Sequence, residues 1–369
     1  MRITLLGAGN LAFGYAAYFT HAGHAVTIWS PSGRGAAGIT GGIRYSGVIS
    51  GNARVAASSL IGDAIADAEL VVIALPANAH HAVMTAAAPH IRSHHTVLVT
   101  PVSALSPLTL ARELAARRIR ATIIGSGTTL LTARKHGPAA VEVATLRNSI
   151  GIAALPASDN AAALEFCRAL CGERFTLQDN LLAVSLSNVN PVAHVPLMLC
   201  NLTRAEKAER WAIYDCMSGG VAALMKGIDA ERLAIMAGFG LEGRGIEEHF
   251  HRSFGVPRGE LAEMAAAVHA QRGGPAGPLT LETRFILEDV PYGLAFFAAM
   301  GRATQVLTPV IDACITLCAT VYARDFSIEN ALLAMLRADS TDPAQLLALA
   351  RDGYAISAPA ASQIGRAHV

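Results

Sequence analysis

Residues 70–76 are apolar without interruption, and residues 2–6 form a shorter run of β type. Continuous rather than alternating hydrophobicity predicts strands of a parallel sheet covered on both faces. After 2–6 come the glycines and small residues of 7–14, an apolar-periodic helix through Phe19, a turn at 21–24 and a second strand at 25–29. That is one β-α-β unit of about thirty residues. The rhythm continues with strand 54–58, helix 61–68, strand 70–76, helix 80–88, strand 96–100, helix 107–118 and strand 121–125. Residues 141–144 and 150–155 read as further strands of the same sheet, and 160–171 as its last helix. The pattern predicts a doubly wound α/β domain over 1–178. From about residue 180 the period becomes helical, over 184–201, 206–226, 229–239 and 291–322, with no strand between. An all-α second domain over 179–369 is expected, with 272–278 as its loosest connection and 340–343 capping a final helix.

Composition adjusts this picture only a little. A chain of 369 residues exceeds one core of ordinary size, and 52% hydrophobic against 15% charged residues is apolar. Domain packing and self-association, most simply a homodimer, are expected to bury the excess. A formal charge of +1 leaves no electrostatic footprint for nucleic acid or an anionic membrane. The apolar run 306–323 is interrupted by Pro309 and Asp312, which fits a buried helix better than a membrane span. The start shows no secretion signal, so a cytoplasmic location is expected. Cys167/Cys171 and Cys314/Cys318 lack C-x-x-C spacing and read as small apolar residues in a reducing compartment. The paired histidines, such as His80-His81 and His94-His95, converge on no metal site and are assigned to surface or capping roles.

The turn Gly7-Ala8-Gly9-Asn10-Leu11-Ala12 carries the first chemistry. Gly7 permits the tight exit from the strand. Gly9 lets a pyrophosphate approach the backbone at the positive end of the helix, and Ala12 stands where the fingerprint has a third small residue. Asn10 and Leu11 complete the set. A dinucleotide-binding Rossmann domain follows, with Leu75 and Pro76 bordering the nicotinamide ribose beyond a carboxyl strand end. The second strand ends in Trp29-Ser30-Pro31-Ser32-Gly33-Arg34, without the carboxylate that would bind a ribose 2′-OH. Ser30, Ser32 and Arg34 suit a 2′-phosphate, so NADP(H) is favoured over NAD(H).

Two polar islands lie in the helical half, at 187–194 and 284–294. Hydride passes readily only to a carbon made electron-poor, so a C=N or C=O group must be protonated or polarised, and imidazole does this near neutral pH. His194 is the candidate. Asp289 would fix its tautomer, Arg284 would hold a substrate carboxylate, and Asn190 would contact substrate or nicotinamide amide. Each has a structural alternative: a helix-end bond for His194, a cap on the helix at Pro291 for Asp289, a salt bridge to Glu288 for Arg284, and backbone capping for Asn190.

With the glycine turn and Leu75-Pro76, these islands resemble the octopine/nopaline (opine) dehydrogenase family over essentially the whole chain. The resemblance implies a Rossmann domain followed by a helical domain, with substrates between them. An amino acid and an α-keto acid condense to an imine, which is reduced to a secondary amine. By resemblance His194 matches the catalytic histidine, Asp289 its paired aspartate and Arg284 the arginine associated with substrate carboxylate. Two other readings stay open. A ketopantoate-reductase-like or β-hydroxyacid dehydrogenase would rely on a lysine in the helical domain, where Lys207 and Lys226 are the only candidates and neither lies in a matching segment. A non-catalytic NADP(H) sensor would bind cofactor without turnover.

Overall fold

The computed structural model describes residues 1–39, 41–336 and 342–356. β1 (Arg2–Leu6) leads through the glycine turn into α1 (Asn10–His21) and returns as β2 (Ala25–Trp29). An excursion, β3 (Ile43–Gly47) and β4 (Gly51–Ala53), precedes β5 (Val55–Ser58) and α2 (Ile61–Ala66). Then β6 (Leu70–Ile73), α3 (Ala77–Ala87), β7 (Thr96–Val99), α4 (Pro107–Ala116) and β8 (Thr122–Ser126) alternate regularly. β9 (Leu131–Lys135) and β10 (Ala140–Leu146) form a hairpin before β11 (Ile150–Leu155), α5 (Asn160–Cys171) and β12 (Phe175–Leu177).

The main sheet has the order β12-β11-β8-β7-β6-β1-β2-β5. Its pairs are parallel except where β11 runs antiparallel to β8. From β1 the chain winds outward to β2 and β5, then recrosses to β6 and winds the other way. The crevice at the carboxyl ends of β1 and β6 is therefore the switch point where such sheets bind ligands. β6 is buried along its whole length, as continuous hydrophobicity requires.

One strand assignment is corrected. Residues 141–144 do not extend the main sheet but lie in β10, within a second sheet of order β4-β3-β10-β9. Its residues alternate, Val141 and Val143 buried with Glu142 between them half-exposed, which is the pattern of a sheet with one wet face. This small sheet covers α1. A Cβ at Gly14 would lie 2.5 Å from the Leu131 side chain and 2.6 Å from that of Ala133, so only glycine lets helix and sheet approach so closely.

The second half is built from helices, with one isolated β-bridge, Ala212 to Ala276, among the described residues. In order come α6 (Leu181–Leu186), α7 (Asn190–Cys200), α8 (Leu202–Glu206), α9 (Gly219–Gly238), α10 (Ile246–Phe254) and α11 (Leu261–Arg272). Then follow α12 (Arg284–Leu287), a π-helical segment Val290–Leu294, α13 (Ala295–Thr304), α14 (Pro309–Tyr322), α15 (Ala331–Leu336) and α16 (Pro343–Asp352). The predicted helix 184–201 is broken between α6 and α7. The split predicted between 226 and 229 does not exist, because α9 runs straight through Gly227, where Val310 of α14 packs 3.3 Å from the absent Cβ. Helix α14 is buried on one face only: Ile311, Cys314 and Cys318 face inward, while Leu317 is 54% exposed. Residues 272–278 are strapped down, since Gly277 N–H donates to Trp211 O and Trp211 Nε1 donates to Pro278 O at 3.0 Å. Asp342 caps α16 by accepting from Ala344 N–H, whereas Ser340 and Thr341 lie outside the described residues.

Candidate active site

Gly7 leaves β1 with φ +136°, and a Cβ there would lie 2.6 Å from Ala74 O at the end of β6. Gly9 caps α1 in extended conformation and has nothing within 4 Å of its missing side chain. The first turn of α1 holds no acidic residue, so its N–H groups and dipole are free for an anion. Leu11 is half-buried and Ala12 fully buried behind this turn. Asn10 turns aside: its Oδ1 accepts from Lys135 N–H at 2.9 Å, tying the small sheet to the start of α1. At the end of β2, Ser30 is buried and its Oγ has no partner among the described residues, while Ser32 and Arg34 are exposed. A sealed, unpartnered hydroxyl beside an open glycine turn fits a nucleotide's ribose and phosphates. Leu75 and the exposed Pro76 follow β6, and Pro76 caps α3.

His194 Nδ1 and Asp289 Oδ2 are 2.7 Å apart, although the residues are 95 positions apart in sequence. His194 is on the second turn of α7 and Asp289 just precedes the π-helical segment. Gly293 of that segment brings the two elements together, for a Cβ there would lie 2.2 Å from the Pro191 ring at the start of α7. The imidazole is flanked on its face as well: Phe285 stacks on it at 3.9 Å between centroids and 2° between planes. Among the described residues Nε2 has no hydrogen-bond partner, and the side chain remains 19% exposed against 6% for Asp289. Asp289 caps nothing with its carboxylate.

Glu288 fixes this pair against the nucleotide half. Its Oε1 accepts from Ala77 N–H at 3.0 Å, at the first residue of α3 and directly after Leu75-Pro76. Burial pushes the Glu288 carboxyl above its usual range, while Arg284 draws it back. The imidazole is thereby set near the carboxyl end of β6.

A family model described as the alpha-helical domain of NAD/NADP octopine/nopaline dehydrogenase matches residues 177–322. Another, the N-terminus of NAD-dependent glycerol-3-phosphate dehydrogenase, matches 2–102. An opine dehydrogenase of Arthrobacter sp. (strain 1C) is 31% identical over 340 residues, covering 90% of this chain and 94% of that enzyme. The chain belongs to the opine dehydrogenase family. It is accordingly an NAD(P)-dependent oxidoreductase acting on CH–NH donors. The octopine dehydrogenase structure with NADH and L-arginine superposes with a TM-score of 0.76 at 16% identity, covering 95% of this chain and 98% of that one. NADP+-bound yersinopine dehydrogenase follows at 0.72, and a ketopantoate reductase from Ralstonia eutropha JMP134 at 0.63. The Rossmann-plus-helical architecture is thus that of the opine dehydrogenases.

Of the other family positions, Arg284 opens α12, is 59% exposed and sits 3.8 Å from Glu288 (Nε to Oε2), so the structural alternative of a helix-face ion pair is present. Asn190 opens α7 half-buried, its N–H donating to Asn188 Oδ1 at 3.0 Å. Phe285, Lys135 and Arg147 escaped the sequence reading, which took Glu288 only as an ion-pair partner for Arg284. Arg147, between β10 and β11, has a buried Nε with no partner among the described residues. Its backbone is pinned by Leu130 O and by Arg174 Nη1, and its charge acts on Tyr214 and His249 of the helical half.

His80 corrects the surface assignment made for the histidines. It is 0% exposed, with Nε2 donating to Leu75 O at 3.0 Å and Nδ1 accepting from Ser106 at 2.9 Å. Burial lowers its pKa to about 4. The unfolded chain then binds the proton more readily, so His80 stabilises the fold above pH ~6.5 and that contribution is lost as pH falls toward 4, by about 3 kcal/mol in all. Denaturant titrations of the parent and His80→Gln across this window should show a steeper acid slope in the parent. Equal slopes would remove His80 as the cause.

Proposed function

We propose that this chain joins the amine of an L-amino acid to a small α-keto acid such as pyruvate, reducing the resulting imine to a secondary amine with NADP(H) preferred over NAD(H). The carrying observation is the His194–Asp289 pair, 2.7 Å apart and latched beside the carboxyl end of β6 by Glu288. Asp289 holds Nδ1–H, so the unpartnered Nε2 is the atom that protonates or polarises the C=N group. Arg284, only loosely paired, holds a substrate carboxylate, and Asn190 a further polar contact. The dinucleotide, when bound over Gly7, Gly9 and Leu75-Pro76, supplies the hydride. Solved octopine dehydrogenases with NADH and L-arginine or pyruvate support this substrate class. Ser30, Ser32, Arg34 and the missing carboxylate after β2 support the 2′-phosphate.

We divide the chain at 178/179, between β12 and α6, into nucleotide and substrate domains, with α16 of the second packing back on α6 and β11. A homodimer is supported by apolar side chains left on one side of the helical half, Leu317 and Val321 of α14 among them. Six free cysteines support a reducing, cytoplasmic setting. A carbonyl-reductase reading is less well supported, since Lys226 pairs with Glu247 and Glu260 and Lys207 is exposed.

The test follows NADPH and NADH oxidation with pyruvate, with and without a panel of L-amino acids. Amine-dependent oxidation is expected. Oxidation that ignores the amine selects the reductase, and binding without turnover selects the sensor.

A further inference from the structure

We propose that Lys135 is a determinant of dinucleotide choice, supplying positive charge to the 2′-phosphate of the adenosine ribose. Lys135 ends β9 of the small sheet, about a hundred residues from the loop that sequence reasoning assigned to this task. Its Nζ donates to Ala8 O at 3.3 Å and to Gly35 O at 3.2 Å. One carbonyl belongs to the glycine turn and the other to the loop after β2, so the ammonium bridges the two segments between which a Rossmann domain holds the adenosine ribose.

Three further observations build the site. The loop is drawn against the turn: a Cβ on Gly35 would lie 2.8 Å from Ala8 Cβ and 3.4 Å from Ser30 Oγ, the hydroxyl that has no partner. Arg34, the neighbour of Gly35, is exposed. Among the described residues Lys135 itself has no carboxylate partner; its ammonium lies over the Phe13 ring, 3.6 Å from Nζ to the centroid, and its backbone N–H donates to Asn10 Oδ1. Burial pulls the ammonium below its ordinary pKa with nothing opposing. A cation and an unpaired hydroxyl flank the loop after β2, on which Arg34 is exposed, and no carboxylate among the described residues pairs with Lys135; a phosphate dianion is the ligand whose charge matches. The pyrophosphate is a poorer match, since the N–H groups of α1 and the open Gly9 already serve it.

The inference rests on the NADP(H) reading above but not on the substrates, so its test uses only the adenosine end of the cofactor. Calorimetry on the intact chain would compare 2′,5′-ADP with 5′-AMP, in the parent and in Lys135→Gln and Lys135→Met, the latter an uncharged chain of similar length that still reaches the Phe13 ring. Loss of one charge-assisted contact is expected to weaken 2′,5′-ADP by about tenfold to a hundredfold and leave 5′-AMP essentially unchanged. Equal weakening of both would make Lys135 a clamp for the turn, and no weakening would make it a bystander; either overturns the proposal. Should both variants fail to fold, the parent still decides. Reductive methylation read by mass spectrometry should show Lys135 shielded by 2′,5′-ADP and not by 5′-AMP, and equal labelling in both overturns it.

Discussion

His194→Ala is expected to lose about three orders of magnitude in turnover while binding dinucleotide as the parent does, since a positioned acid–base group contributes roughly 10²–10⁴. The geometry gives the imidazole one outlet. Nδ1 is engaged by Asp289 at 2.7 Å, Phe285 lies flat on the ring, and among the described residues Nε2 is left without a partner. Asp289→Asn tests the same arrangement without removing volume. A neutral amide keeps the shape but no longer stabilises the imidazolium whose Nε2–H is given to the C=N group, and by donating to Nδ1 it can also disturb the ring's orientation. A loss of the same order is expected there. Stopped-flow turnover at saturating substrates, beside dinucleotide affinity from fluorescence, separates chemistry from binding. Either variant keeping more than a tenth of the parent rate would remove the pair from the mechanism.

The features visible in the sequence are those set by short-range pattern. β1, α1 and β2 were legible because a continuous apolar strand, a glycine turn and a helical period follow one another within thirty residues. The small sheet was not, because β10 pairs in parallel with β3 from nearly a hundred residues away, and long-range pairing leaves no local mark. The alternation of Val141, Glu142 and Val143 did carry a usable signal, since a strand buried on both faces would not hold a half-exposed glutamate. In the helical half, Gly227 reads as a breaker until the packing of Val310 on its bare face explains it. The site divides the same way. His194 and Asp289 stood out as polar residues in apolar surroundings. Glu288 was legible only as a helix-face partner for Arg284, because its bond to Ala77 N–H depends on the end of α12 facing the start of α3. Lys135 and Arg147 are ordinary surface-type residues until the second sheet folds over α1.

Asp229→Ala is expected to cost the fold about 3–5 kcal/mol, the penalty for leaving a buried charge without its partner. Arg232 is 0% exposed and Asp229 3%. The guanidinium donates to Asp229 Oδ1 from Nε at 2.9 Å and Nη2 at 2.7 Å, to Leu186 O from Nη1 at 2.7 Å, and to Arg244 O from Nη2 at 2.6 Å. Asp229 Oδ2 in turn accepts from Ile246 N–H at 2.7 Å, so one carboxylate holds the start of α10 as well. The position of this brace ties stability to activity. Leu186 ends α6, and α7 with His194 begins four residues later, so releasing Arg232 loosens the joint from which the imidazole is aimed. A fall in Tm of roughly 10 °C is expected by calorimetry, taking about 2–4 °C per kcal/mol for a unit of this size. Turnover measured well below the new Tm should fall too, with dinucleotide affinity less affected because the glycine turn lies in the other half. A Tm within about 2 °C of the parent, less than 1 kcal/mol on the same scale, would show that Arg232 finds another anion or water and that the brace is dispensable.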